Sequence, residues 1–213
     1  MSDTHSLHRQ FKVPSGDVFV HAGDITRDGE IDTIYDFSIW LSELPHRWKI
    51  VIAGNHDFSL DISHPKYDPR ARAMLEKRRA NIRYLQDSSF EVEGLKFFGT
   101  PWVPNLVNWA FFDRGQNKFE GAPTDVDVLV SHGPPYMLHD REMKQGLHVG
   151  SVHLRRYAER CPRLLLHVFG HVHEGHGTNL STGETPILVN AASLDRHYKP
   201  VNQPIVVEIP LRE

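Results

Sequence analysis

The chain has 213 residues, 39% of them apolar and 24% charged, a length and balance that suit one folded domain with a buried core and exclude a disordered chain. A net charge of −3 supplies no overall positive field for nucleic acid or anionic lipid, and the lone Cys161 excludes an intrachain disulfide and a thiolate metal cluster. Met1 to Gln10 lacks a signal-peptide core, and no apolar run approaches the ~20 residues of a spanning helix, so a cytoplasmic protein that engages no membrane is expected.

In chain order, Asp3-Thr4-His5 stands first, and the run Asp17 to Ala22 follows as a buried strand breaking into Gly23-Asp24. Glu30 to Leu44 carries apolar residues at helical spacing and is closed by Pro45. Trp48 to Ala53 is a second strand, ending in Gly54-Asn55-His56-Asp57. Asp68 to Asn81 reads as a helix with Asp68 as its cap and Pro69 at the first helical position, its basic residues forming a solvated face.

From Ile82 to Gly99 the pattern changes to shorter strands, with Glu93-Gly94 as a hairpin turn and a second, more antiparallel sheet as the consequence. Pro101 to Thr124 is long, aromatic and irregular; most of its rings are expected to pack, with one or two touching substrate. Val126 to Ser131 and Leu164 to Phe169 are further strands, ending in His132-Gly133 and in Gly170-His171-Val172-His173. Gly177 to Ala191 reads as a hairpin around Thr182-Gly183, and Pro204 to Ile209 as a final strand.

Taken singly, each polar loop residue has an ordinary structural reading, such as Asp24 in a turn or His132 as a satisfied loop histidine. Together, four apolar strands deliver a carboxylate, amide or imidazole at their C-terminal ends, where ligand sites of open α/β sheets form. Asp3 with His5, and His171 with His173, are spaced so that in extended backbone both side chains of a pair point the same way. The 15 histidines are a heavy load of neutral metal ligands for this length. His21 and His167 lie inside strands, where a hydrogen-bonded core or supporting role is expected.

The ordered set Asp-x-His, Gly-Asp, Gly-Asn-His-Asp, His-Gly and Gly-His-x-His resembles the calcineurin-like metallophosphoesterases over nearly the whole chain. The longer strings HAGDIT, KIVIAGNHDFSLD, SHGPP and HVFGHVHEGHG are similar to the small metallophosphoesterase-domain proteins akin to the 239FB brain protein. This resemblance implies a layered αββα sandwich of two mixed sheets flanked by helices. It implies two divalent metals, one held by Asp3, His5, Asp24 and His173, the other by Asp24, Asn55, His132 and His171. Asp24 would bridge them, because a carboxylate has two oxygens to share.

Two aspartates against two divalent ions leave such a pocket locally cationic, fit to attract phosphate and to generate hydroxide from water near neutral pH. The expected reaction is metal-dependent hydrolysis of phosphodiesters, cyclic nucleotides or other small diesters, with Asn55 and His56 on the phosphate and His56 protonating the leaving oxygen. Manganese or iron suits the nitrogen and oxygen donors best, with zinc also compatible. The alternatives left open are a phosphomonoester or phosphoprotein phosphatase and a catalytically weak nucleotide-binding or scaffold protein. Long nucleic acid is not an expected partner, since no basic and aromatic track is visible beyond the helix near Arg70, and the oligomeric state is left open.

One departure stands out. In the family the Asp-x-His pair follows a buried apolar strand, whereas only Met1 and Ser2 precede Asp3 here, so the first strand is expected to be missing. Either the reading frame is longer or the fold forms without that strand, and in the second case Asp3 and His5 would sit on a fraying terminus with a weakened first metal site.

Overall fold

Ile50 and Ile52 point to one side of their strand and Val51 to the other, as the period of two requires, and the two sides meet different cores. That alternation explains the layering of the protein, described here from a computed structural model over residues 1–77, 81–142, 146–179 and 185–210.

Three parallel strands, β1 (Val18–Ala22), β2 (Trp48–Ile52) and β3 (Ile82–Tyr84), form the smaller sheet in that order. Helix α1 (Ile31–Glu43) joins β1 to β2, and α2 (Pro69–Lys77) leads into β3. Phe37, Leu41, Ala71 and Leu75 from these helices pack with Phe19, Val51, Ile82 and Tyr84 in one core. Asp68 caps α2 as expected, its carboxylate accepting the Arg70 N–H at 2.9 Å. The part of that helix expected over residues 78–80 lies outside the described residues.

The larger sheet has the order β4-β5-β6-β7-β9-β8, built from β4 (Ser88–Val92), β5 (Leu95–Thr100), β6 (Val128–Ser131), β7 (Leu166–Phe169), β8 (Gly177–Thr178) and β9 (Ile187–Asn190). It is antiparallel at its two edges and parallel between β5, β6, β7 and β9. Glu93 and Gly94, at φ 50 and 79, make the turn of the β4–β5 hairpin, since both central positions of this tight turn require positive φ. The β8–β9 pairing agrees with the expected hairpin, whose Thr182-Gly183 turn lies outside the described residues.

Val128, Val130 and Phe97 face the smaller sheet together with Ile50 and Ile52, while Leu129 and Phe98 face Leu154 and Tyr157 of α3 (Val152–Glu159). Helices, sheet, sheet and helix thus lie in layers, the expected arrangement, with the smaller sheet wholly parallel. In the 101–124 segment the rings of Phe111 and Phe119 are buried, as are Val103 and Ala110, Trp102 and Phe112 are half-buried, and Trp109 is exposed. No helix among the described residues is long and apolar enough to cross a membrane.

Two expectations are corrected. Pro204 to Ile209 is not a strand; Ile205, Val207 and Ile209 pack on the core between the sheets, but the segment joins no ladder. A cavity of about 590 Å³ lies against this segment and is also lined by Val18 and Val20 of β1. The terminus before Asp3 does not fray. The Met1 amino group donates to Val20 O, Ala22 N–H to Met1 O, and Asp3 N–H to Gly23 O, while Ser2 bridges Ala192, so the first residues lie along β1 and are buried.

Candidate metal centre

The chain turns sharply after each strand that points at the site. Asp24 after β1, His171 after β7, and Asp3 and His5 beside the β1 turn all have φ between 39 and 67, a left-handed conformation that Asp and His tolerate better than most residues. Neighbouring backbone holds them there: His5 N–H donates to Asp24 O, and His171 N–H donates to the Asp3 carboxylate at 3.0 Å. The strand-end glycines are required by this crowding. A Cβ on Gly54 would collide with the Asp24 carboxylate and the His132 ring, and one on Gly170 with Asp3 and Ser2.

Three of the inward imidazoles are oriented by backbone carbonyls. His132 Nδ1 lies 2.8 Å from Ala22 O, His173 Nδ1 2.9 Å from Asp195 O, and His5 Nδ1 3.2 Å from Thr26 O. A carbonyl only accepts, so these nitrogens carry the protons and each Nε2 is turned inward. The inward atoms converge: His5 Nε2 is 3.4 Å from His173 Nε2, His132 Nε2 is 2.9 Å from Asn55 Oδ1, and His173 Nε2 is 3.6 Å from Asp3. Asp24 divides its oxygens, with Oδ1 3.3 Å from His132 and Oδ2 3.7 Å from His5.

Asp3, His5 and His173 offer ligand atoms within 4.8 Å of one another, as do Asp3, Asp24 and His132, and also His5, Asp24 and His56. The His171 ring lies beside that of His132, centroids 5.2 Å apart. The structure therefore brings Asp3, His5, Asp24, Asn55, His56, His132, His171 and His173 to one place from four strand ends and the N-terminal segment.

Electrostatically the centre calls for positive charge. Asp3 and Asp24 are 0% and 2% exposed, and their ion-pair partners among the described residues are imidazoles, not Lys or Arg. Burial works against ionised Asp3, yet the hydrogen bond and charge of His173 hold its pKa below the usual range; burial likewise opposes ionised Asp24, but the charges of His132 and His56 hold it well below. Burial also disfavours imidazolium, but Asp24 lifts His132 to about 9 and Asp3 lifts His173 to about 9. His5 and His171 are pushed down to about 4 by burial and stay neutral donors. The Nε2 atoms of His5 and His173, 3.4 Å apart with buried carboxylates beside them, fit a divalent cation that would take the place of the His173 Nε2 proton.

Asp57, the last residue of the Gly-Asn-His-Asp motif, ties two site loops together. Its buried carboxylate accepts from Ile25 N, Thr26 N, Thr26 Oγ1 and Gly54 N. Burial, and then the Asp24 charge, push its pKa up to about 6. His21 and His167 are core residues as expected, bonded through Nε2 to Thr4 Oγ1 and Ser131 Oγ.

Around the mouth stand residues that spacing did not reveal. The Tyr198 ring is 4.9 Å from His5, 5.3 Å from His173 and 6.4 Å from His56, with the Arg27 guanidinium 5.6 Å from its centroid. Trp109 lies 4.5 Å from His56 on the other loop. His56 Nδ1 donates to Arg27 O at 2.6 Å, which leaves Nε2 free of that bond. No motif marks Tyr198 or Arg27; their only signal is an aromatic and a basic residue in loops flanking the strand ends.

Residues 1–175 match the family model of the calcineurin-like phosphoesterases. The chain is 38% identical over 229 residues to metallophosphoesterase domain-containing protein 1 of Homo sapiens, the match covering 99% of this chain and 70% of that protein. It is 36% identical over 227 residues to UPF0046 protein C25E10.12 of Caenorhabditis elegans, covering 99% and 80%.

Proposed function

The chain belongs to the calcineurin-like phosphoesterases, a family of metal-dependent phosphoester hydrolysis, and on that premise we propose that it is a two-metal phosphodiesterase acting on small diesters. The observation that carries this reading is the division of Asp24, whose two oxygens face His132 on one side and His5 on the other. Asp3, His5, Asp24 and His173 would hold one ion, and Asp24, Asn55, His132 and His171 the other. Manganese or iron is favoured by this mixture of imidazole, carboxylate and amide donors. Such ions, when bound, supply Lewis acidity toward the phosphoryl group and activate water as the nucleophile.

The chain's own residues supply orientation and the proton. His132, His173 and His5 are locked by their carbonyl partners with Nε2 inward, which keeps the donor set arranged before substrate arrives. Asn55 and His56 would contact the phosphate. His56, held through Nδ1 by Arg27 O, would deliver a proton from Nε2 to the departing oxygen as the P–O bond breaks. Diester preference is supported by the two exposed rings, Trp109 and Tyr198, that flank His56, one for each ester arm. The reading extends to a small phosphate ester as partner and to a cytoplasmic setting, which the single buried thiol of Cys161 supports.

The test compares bis(p-nitrophenyl) phosphate with p-nitrophenyl phosphate on manganese-loaded protein. The diester is expected to give the larger kcat/KM. A preference for the monoester, with the diester untouched, would contradict the diesterase reading and leave a phosphomonoesterase.

A further inference from the structure

Beside the metal centre the structure holds a cavity of about 420 Å³, lined among others by Trp109, Phe112, Val107, His64, Asn108 and Arg114. None of the eight residues gathered at the centre lines it. Its size falls within the ~300–1,000 Å³ of small-molecule pockets, and its walls combine flat rings with a few polar groups at the rim.

Trp109 joins this cavity to the reaction. Its ring is 4.5 Å from His56 and 5.6 Å from Phe58, and Phe58 in turn stacks on His64 at 4.4 Å. The segment carrying it is fixed to the metal loop at two points: Ala110 N–H donates to Asn55 O, and Phe111 N–H donates to Asp61 Oδ2. Phe111, two residues after Trp109, is fully buried yet held at φ 54, an unfavourable conformation for a bulky side chain that its bond to Asp61 compensates. Despite this anchoring the indole stays 37% exposed, and Val107 beside it 67%. A fixed aromatic ring left open to solvent next to a proton donor is a stacking platform.

We propose that this cavity seats the planar aromatic part of the ester's leaving group, stacked on Trp109, with Ser63, Asn108 and Arg114 at hand for heteroatoms on its edge. Trp109 is the leaving-group wall because it lies nearer to His56 than Tyr198 does, at 4.5 against 6.4 Å, and the proton must reach the departing oxygen. The inference rests on the hydrolytic reading above and adds to it the class of group that departs.

The test measures calorimetric binding of phenylphosphonate and methylphosphonate to the manganese-loaded chain, a readout independent of turnover. Wild type is expected to hold the phenyl compound about ten-fold more tightly, the scale of one aromatic stacking contact. Trp109→Ala brings the ratio to about one, and Trp109→Phe, which keeps a ring in place, retains most of it. A wild-type ratio near one, binding of neither compound, or a ratio indifferent to Trp109→Ala overturns the proposal. Failure of the hydrolytic reading looks different: no diester turnover with the ratio intact.

Discussion

His56 is placed as a donor by one bond: its Nδ1–H donates to Arg27 O at 2.6 Å, which leaves Nε2 free of that bond, in a ring packed among those of His5, Trp109 and Tyr198. If it protonates the leaving oxygen, His56→Gln should lower kcat by roughly 10² or more for an alkyl leaving group. It should cost much less for p-nitrophenolate, which departs without a proton. Equal losses on both esters would show that His56 only binds phosphate. At this scale the gathering of Asp3, His5, Asp24, Asn55, His132, His171 and His173 at one place was legible in the sequence, because each stands next to a strand end or in a pair that one local turn can present. Tyr198 was not legible. It reaches His5 and His173 because the Asp195–Lys199 turn folds back, with Tyr198 N–H on Asp195 O and Asp195 O also accepting from His173 Nδ1. No periodicity encodes that return.

Between elements, the site depends on how the loops after β1 and β2 are joined, and Asp57 is the joint. Asp57→Ala would leave the N–H groups of Ile25, Thr26 and Gly54 buried without this acceptor. A lost stabilisation of about 3 kcal/mol is expected, since each such orphan costs ~1–3 kcal/mol and the loops relax in part. Urea unfolding should show a lower midpoint with an unchanged slope; an unchanged midpoint would mean that Asp57 is no joint. The elements also show where sequence patterns stop. The Glu93-Gly94 hairpin is legible because its turn chemistry is local. Pro204 to Ile209 is rich in β-branched residues like a strand, and Ile205, Val207 and Ile209 do pack on the core while Val206 and Glu208 between them are exposed. Alternation records which side chains are covered, not whether the backbone finds a ladder partner, and here it does not join one.

At the scale of the molecule, the centre is assembled across both sheets: Asp24 and Asn55 follow strands of the smaller sheet, while His132, His171 and His173 follow strands of the larger. The layered α/β arrangement was legible through the family resemblance, and the structure shows its physical basis in strand alternation, which sorts residues such as Phe97 and Phe98 into separate cores. The burial of the first residues was not, since it follows from the pairing of Met1 and Asp3 with β1. Ions that bind only this assembled state should stabilise it and switch on hydrolysis together. The most direct measurement titrates metal-stripped protein with manganese while recording both Tm and bis(p-nitrophenyl) phosphate turnover, with His132→Ala beside it. The account expects Tm to rise with binding, turnover to appear only as the second equivalent is taken up, and the variant to stay inactive. Full turnover by the stripped chain, or a variant as active as wild type, would contradict the two-metal centre.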